Sequence, residues 1–290
     1  MVPRPTPFGL LAHPYTRLQP LETTTKEVRA LGQQKGSALV WCMGGDDRGC
    51  SSLVKSRPGG LSLLVILPPD VEIRASAGLA LELQQLRPNG ILPYHPDPMA
   101  SDLAQVLRRP PVDLAGEVTD YLRWRGLGVD RDTVHLLRRI LDLSAELKSI
   151  SAVSRGMYLS RRALGRRLTT RGLPVPSHWL QIGRLLRVAI RLQNSRATVS
   201  SVAFEHRYPD AFSLSNQMER LVGHRPSEVR RLLGWEWVVE AWLRREAEFG
   251  RLRVTATPPE GVRDEVRPVG MSRPARAGRK QDRSRHRAGA

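Results

Sequence analysis

The sequence is poor in cysteine, in acidic residues and in long apolar runs, and each shortage removes a class of function. Only Cys42 and Cys50 occur. A Gly/Asp-rich segment separates them with no neighbouring His or further Cys, so a tetrahedral structural zinc has too few ligands. A disulfide between them is open on geometry alone, and a reducing compartment favours two spare thiols. The longest apolar run, Leu61 to Leu67, is far shorter than the roughly 20 residues of a bilayer-crossing helix. The start, Met1-Val2-Pro3-Arg4-Pro5, has no charged region followed by an apolar stretch and a small-residue cleavage site, which predicts a cytoplasmic protein. No Ser/His/Asp spacing, phosphate-cradling glycine loop or pair of helical carboxylates is present. These absences predict no enzymatic activity, no metal, no cofactor and no membrane insertion.

What the chain does have is length, apolar content and positive charge. Its 290 residues, 40% hydrophobic and 26% charged, suffice for two modest domains plus tails. There are 46 Lys+Arg against 28 Asp+Glu, a formal charge of +18. Between residues 151 and 250 lie seventeen Arg, no Lys and eight acidic residues, and the last twenty residues add six Arg and Lys280 against Asp282. Such a field attracts polyanions, nucleic acid first, because displaced counterions favour phosphate binding. A GC-biased genome favouring Arg codons would raise the total in the same way, so composition alone does not choose between the two readings.

Along the chain, residues 1–35 carry Pro3, Pro5, Pro7, Pro14 and Pro20 with little periodicity and read as an irregular lead. Residues 36–110 read as a small α/β domain for sensing or partner binding. Leu61–Leu67 is a buried strand closed by Pro68-Pro69, Val71–Leu86 a helix stopped at Arg87-Pro88-Asn89-Gly90, Ile91–Tyr94 a second strand and Met99–Leu107 a second helix. This order resembles the later half of a response-regulator receiver domain, with Tyr94-His95-Pro96 where a receiver carries Lys-Pro. Asp46 and Asp47 are adjacent acids but follow no strong strand, so a receiver-like module here is degenerate and not phosphorylated. Residues 111–147 read as a helical linker, with helices over 117–125 and 133–147. From 251 to 290 Pro, Gly, Arg and Ser dominate, which predicts a disordered basic tail.

Residues 148–250 carry continuous helical periodicity and two similar units. In the first, Ser160 caps a helix whose Leu164 and Leu168 form the buried face, leaving Arg162 and Arg166, also four apart, together on another. In the second, Leu214, Met218 and Leu221 are buried, while Ser213, Asn216, Gln217 and Arg220 face outward. Between them Trp179 to Leu192 forms a long helix with Leu185, Leu186, Ala189 and Leu192 as its apolar positions and Arg184, Arg187 and Arg191 as its basic ones. The expected fold is mainly α: an all-α double helix-turn-helix domain behind a small α/β domain.

The ordered set Ser160…Leu164…Arg167, Trp179…Arg184-Leu185…Ala189…Leu192, Val202-Ala203, Tyr208-Pro209-Asp210 and Gly223-His224-Arg225-Pro226-Ser227-Glu228-Val229-Arg230 resembles the AraC/XylS family of bacterial transcription regulators. The resemblance covers residues 150–232. This chain departs from it in having Arg207-Tyr208 in place of the family's usual Gly-Phe, and Leu214 and Met218 in place of Phe. The resemblance implies a two-pronged reader of double-stranded DNA. Its first recognition helix would aim Arg162 and Arg166 into the major groove, with Arg161 and Arg167 nearer the phosphates and Ser160 at the helix start. Arginine's planar fork pairs with guanine O6 and N7, worth about 1–3 kcal/mol of discrimination per good contact. In the second unit the matching positions are Phe212, Ser213 and Asn216, with Gln217 and Arg220 beside them. Asparagine bridges adenine N6 and N7, and Phe212 packs either on a thymine methyl or in the core.

Trp235, Trp237 and Trp242 fall on a terminal helix that packs against the DNA-binding core, since no basic groove alternates with them as single-strand stacking requires. The reading is a sequence-specific transcriptional regulator. RNA polymerase and a second copy of the chain are candidate partners, and no effector is identified. The alternative is a sequence-blind nucleic-acid binder driven by the basic tail.

Overall fold

A computed structural model describes residues 7–21, 25–31, 34–44, 50–69 and 77–253, with backbone alone at 25–27 and 77. The described residues belong to one compact unit, mainly helical, with a small N-terminal sheet. No helix among them is long and apolar enough to cross a membrane. Asp46, Asp47, residues 71–76 of the expected helix and the tail from 254 onward lie outside the described residues.

The chain opens with β1 (Phe8–Leu11), β2 (Leu18–Pro20) and α1 (Thr25–Ala30), then alternates β3 (Ala38–Cys42), α2 (Cys50–Lys55), β4 (Ser62–Ile66), α3 (Ala77–Leu86), β5 (Gly90–Leu92) and α4 (Ala100–Arg108). Strand order is β2-β1-β3-β4-β5. β3, β4 and β5 run parallel, Ala38 opposite Ser62 and Leu64 opposite Gly90, whereas β1 is antiparallel to both neighbours. Alternate side chains leave opposite faces of a strand. Leu39, Trp41, Leu63 and Val65 therefore pack with Val54 of α2 and Leu83 and Leu86 of α3, while Ala38, Val40, Leu64 and Ile66 pack with Leu103, Ala104 and Leu107 of α4. Burial on both faces is why β4 reads as an apolar run, and β3, buried likewise, corrects the expectation that no strong strand precedes Asp46 and Asp47.

Two further expectations for this region are corrected. Within the segment read as an irregular lead, described residues 7–21 carry two strands, and Phe8–Leu11 is fully buried in the sheet interior between β2 and β3. Pro7 and Pro14 flank β1, and Pro20 sits in β2 at the sheet edge, where no partner strand needs its missing N–H. The sheet is also not receiver-like, since a receiver's doubly wound sheet is parallel throughout and both pairings of β1 here are antiparallel.

The rest of the described chain is helical: α5 (Leu114–Trp124), α6 (Arg131–Leu143), α7 (Ile150–Gly156), α8 (Arg161–Thr169), α9 (Pro176–Asn194), α10 (Val199–Glu205), α11 (Ala211–Val222), α12 (Pro226–Arg231) and α13 (Glu236–Glu248). Carboxylates and hydroxyls start most of them. Asp113 accepts from the Gly116 N–H, Asp130 from Thr133, Ser149 from Ala152, Ser160 from Ala163, Thr198 from Ser201 and Asp210 from Ser213. Each such cap is worth about 1 kcal/mol. α9 is the axis: Trp179, Ile182, Leu185, Leu186, Val188, Ala189 and Leu192 are buried in one core shared with α5 to α13. α5 and α6, the stretch read as a linker, are part of that core through Val118, Tyr121, Leu122, Leu137, Ile140 and Leu141.

A buried polar seam joins the sheet to this core. Arg57, 5% exposed, donates to the carbonyls of Leu61, Val54 and Arg87 and lies 4.3 Å from the centre of the Trp124 ring. Burial pulls its pKa down to about 10, so it stays charged at neutral pH. Arg87 reaches Glu117 at 2.6 Å and Glu236 at 3.6 Å. Glu236, 2% exposed, also accepts from Ser62 Oγ and Asn89 Nδ2. Alongside, Arg125 grips both oxygens of Glu240, and Tyr121 donates to the same carboxylate while accepting from the Gly60 N–H. Burial alone would raise the Glu240 pKa, but Arg125 and Tyr121 outweigh it and hold it below the ordinary value. On the other face of the sheet the Tyr15 hydroxyl donates to Gly36 O and accepts from the Leu233 N–H.

Candidate nucleic-acid interface

Two helix pairs, α7 with α8 and α10 with α11, are built on one plan. Ile150–Gly156 matches Val199–Glu205 residue for residue, and each is capped by a hydroxyl, from Ser149 and Thr198. In the turn that follows, Tyr158 (φ 54°) and Arg207 (φ 60°) take the left-handed conformation at the same position. The next residue closes the turn identically, the Leu159 N–H on Ser154 O and the Tyr208 N–H on Ala203 O. After one extra residue, Pro209, the correspondence resumes with the N-caps Ser160 and Asp210. Buried Leu164 and Leu168 then answer to buried Leu214 and Met218.

Neither left-handed residue is glycine, and such a conformation costs an L-residue roughly 1–2 kcal/mol. Arg207 recovers part of this by donating from Nη1 to Glu146 O at 2.8 Å. α11 ends on Gly223, also left-handed, which suits a residue without a Cβ.

The register fixes which side chains occupy equivalent outward positions on α8 and α11. Arg161, Arg162, Arg166 and Arg167 correspond to Ala211, Phe212, Asn216 and Gln217. All four arginines are exposed and form no ion pair or side-chain hydrogen bond among the described residues. Phe212 is 74% exposed, which places it outside the core. Asn216 and Arg220 are exposed, and Ser213 and Gln217 are half-buried. Arg220 makes one long contact, to Gln181 Oε1 at 3.4 Å. Ser160 and Asp210 serve as caps, and the Ser213 N–H and hydroxyl hold the Asp210 carboxyl below the usual range.

The arginines of α9 behave differently. Arg184 donates to His206 O and lies 4.6 Å from the centre of the Tyr208 ring. Arg187 donates to Ser144 Oγ, Gly183 O and Leu141 O, and Arg191 lies on Glu205 at 2.9 Å. Burial lowers the Arg187 pKa, and it lowers that of His206 beside these guanidiniums. The three read from sequence as basic positions of a connector are thus tied to α6, α10 and the second turn.

Trp235, Trp237 and Trp242 are buried, and Trp242 meets Trp179 of α9 edge to face at 4.7 Å. Sequence reasoning did not single out two further exposed residues at equivalent positions, Arg155 on α7 and Phe204 on α10, the latter 72% exposed. Their signal was the internal repeat itself, once aligned through the turn.

No protein-family model matches the chain, and no curated protein matches it either.

Proposed function

We propose that the protein is a sequence-specific, double-stranded DNA-binding transcriptional regulator. In this reading the two helix pairs are helix-turn-helix units of the AraC/XylS type, with α8 and α11 as recognition helices in two major-groove segments. The observation that carries it is the contrast in arginine use. The guanidiniums of α9 are consumed by internal acceptors, whereas those of α8 project from a capped helix with no partner among the described residues. Unpaired guanidiniums grouped on one helical face suit guanine edges and phosphates.

The connector supports the same reading. With 19 residues α9 spans about 28 Å, near the roughly 34–36 Å between successive major-groove segments on one face of DNA. The α/β domain would act as a sensing or partner-binding part, acting on the nucleoid in the cytoplasm with no chemistry of its own. RNA polymerase and a second copy of the chain are the partners such a regulator would meet.

Binding-site selection from random duplexes, with wild type and the Arg162→Ala/Arg166→Ala variant in parallel, tests this. A shared asymmetric motif that the variant no longer selects is the expected result. Uniform weakening on all sequences would remove the base-reading role. The competing reading, a sequence-blind binder, rests on the six Arg and Lys280 in the last twenty residues. Its test is deletion of 254–290, which spares buried Leu252 and the Arg253 N–H bonded to Gly172 O. Loss of all binding on that deletion would favour it.

A further inference from the structure

The shared register of the two helix pairs exposes a systematic difference in chemistry. Where the first pair presents Arg155 and Arg162, the second presents Phe204 and Phe212, both strongly exposed. Phe212 stands in the first turn of α11, the end of a recognition helix that comes closest to base edges. It belongs to no core cluster, so its ring has no internal role to explain it. Four residues on, Asn216 occupies the same face with its amide exposed and no hydrogen bond to the described protein.

Charge on this face points the same way. α8 carries four arginines with no ion pair among the described residues and no acid, whereas α11 carries Arg220 alone, has its Glu219 3.7 Å from Arg225, and begins at ionised Asp210. With one arginine against the four of α8, α11 offers phosphate less, so its discrimination falls to short-range apolar and amide contacts. In the major groove the one apolar group on a base edge is a C5-methyl, on thymine or on 5-methylcytosine.

We infer that the second helix pair carries a site for the C5-methyl group of a pyrimidine, with Phe212 as its apolar contact and Asn216 reading an adenine alongside. This rests on the DNA-reading function proposed above. Residues four apart on a helix are separated by about 6 Å along its axis. The base-pair rise is about 3.4 Å, so the two side chains address neighbouring or next-neighbouring pairs. The target of the full protein is then a site with unlike halves: guanine edges for α8, and a methyl-bearing pyrimidine next to adenine for α11.

The experiment uses the full chain and the duplex it selects. Each thymine is replaced in turn by uracil, which deletes only the methyl group, and affinities are compared by competition. One position in one half-site is expected to lose about fourfold, corresponding to the ~0.8 kcal/mol of one buried methyl. Phe212→Ser should bring the thymine-to-uracil ratio at that position to one, while Arg162→Ala leaves the ratio unchanged. Placing cytosine and 5-methylcytosine at the same position, with the neighbouring adenine kept, separates the methyl from the rest of the base: a gain on methylation identifies the methyl itself as the ligand, and no gain overturns the inference. A selected site indifferent to uracil everywhere, or a uracil effect that survives in Phe212→Ser, overturns this inference and leaves the DNA-reading function standing. Failure to select any sequence overturns both. Because Phe212 is exposed, its substitution spares the core, and an unchanged thermal midpoint checks this.

Discussion

Helices α8 and α9 carry the same residue type to different ends. On α9, Arg184, Arg187 and Arg191 run into carbonyls, a hydroxyl, an aromatic face and a carboxylate of α6, α10 and the second turn. On α8, Arg161, Arg162, Arg166 and Arg167 meet none of these among the described residues. A high arginine count therefore describes two populations, one that holds the fold together and one that makes no such contact among the described residues. What separates them is the presence of an acceptor on the packed neighbour, which net charge does not report.

The largest effects come from the seam, where cations are most deeply engaged. Glu236→Ala takes the buried acceptor from Ser62 and Asn89 and leaves Arg87 with Glu117 alone, and removing one partner of a buried pair costs about 3–5 kcal/mol. Urea denaturation would register this as a lower midpoint. Next, Arg187→Ala removes the guanidinium bonds to Ser144 Oγ, Gly183 O and Leu141 O and is expected to cost about 2 kcal/mol. Arg166→Ala should stay within about 0.5 kcal/mol of wild type in the same assay yet lose affinity for the selected duplex. If the two variants behaved alike in both assays, the division between engaged and free arginines would be wrong.

Acid sharpens the contrast further. Hydrogen bonds from Thr133, then from Arg171, hold the Asp130 pKa down at about 2, below its ordinary 3.8. A depressed carboxylate pKa stabilises the fold above the unfolded value, and that contribution is lost as pH falls through the folded one. Thermal melts between pH 5 and about 2 should therefore show the cap of α6 weakening. Asp130→Ala, expected to cost about 1 kcal/mol at neutral pH, should converge on wild type at the acid end. The smallest effect runs the other way. Tyr158, 97% exposed at φ 54°, gains little from its side chain, so Tyr158→Gly should raise stability by about 0.5–1 kcal/mol. Arg207→Gly should gain less, because it gives up the bond to Glu146 O.

Much of the helical half was legible because its signals are local. Ser160 as a cap, Leu164 with Leu168 four apart, and the apolar stripe of α9 are read from neighbours in sequence. β4 and α4 were legible for the same reason. β1 was not, because four apolar residues among prolines show no alternation, and only the distant partners β2 and β3 make them a strand. Element order suggested a receiver, but whether strands pair parallel or antiparallel is set by partners far along the chain. The fate of the α9 arginines was illegible too, since Ser144, Leu141 and His206 lie on other elements. At the interface the residue types were legible, and Phe212 was not resolved between core and surface until its exposure was known.

The closing of the sheet domain by Leu233 and Glu236 carries a consequence for synthesis. A ribosome releases the strands β1 to β5 long before it reaches α13, yet Leu233 packs against the α4 side of the sheet, and Glu236 receives Ser62, Asn89 and Arg87. Until those late residues emerge, the nascent sheet holds Ser62 and Asn89 without their carboxylate, and Arg87 has only Glu117. The amino-terminal half thus waits for the carboxy-terminal half, and fragments cut between them should be less soluble than the whole.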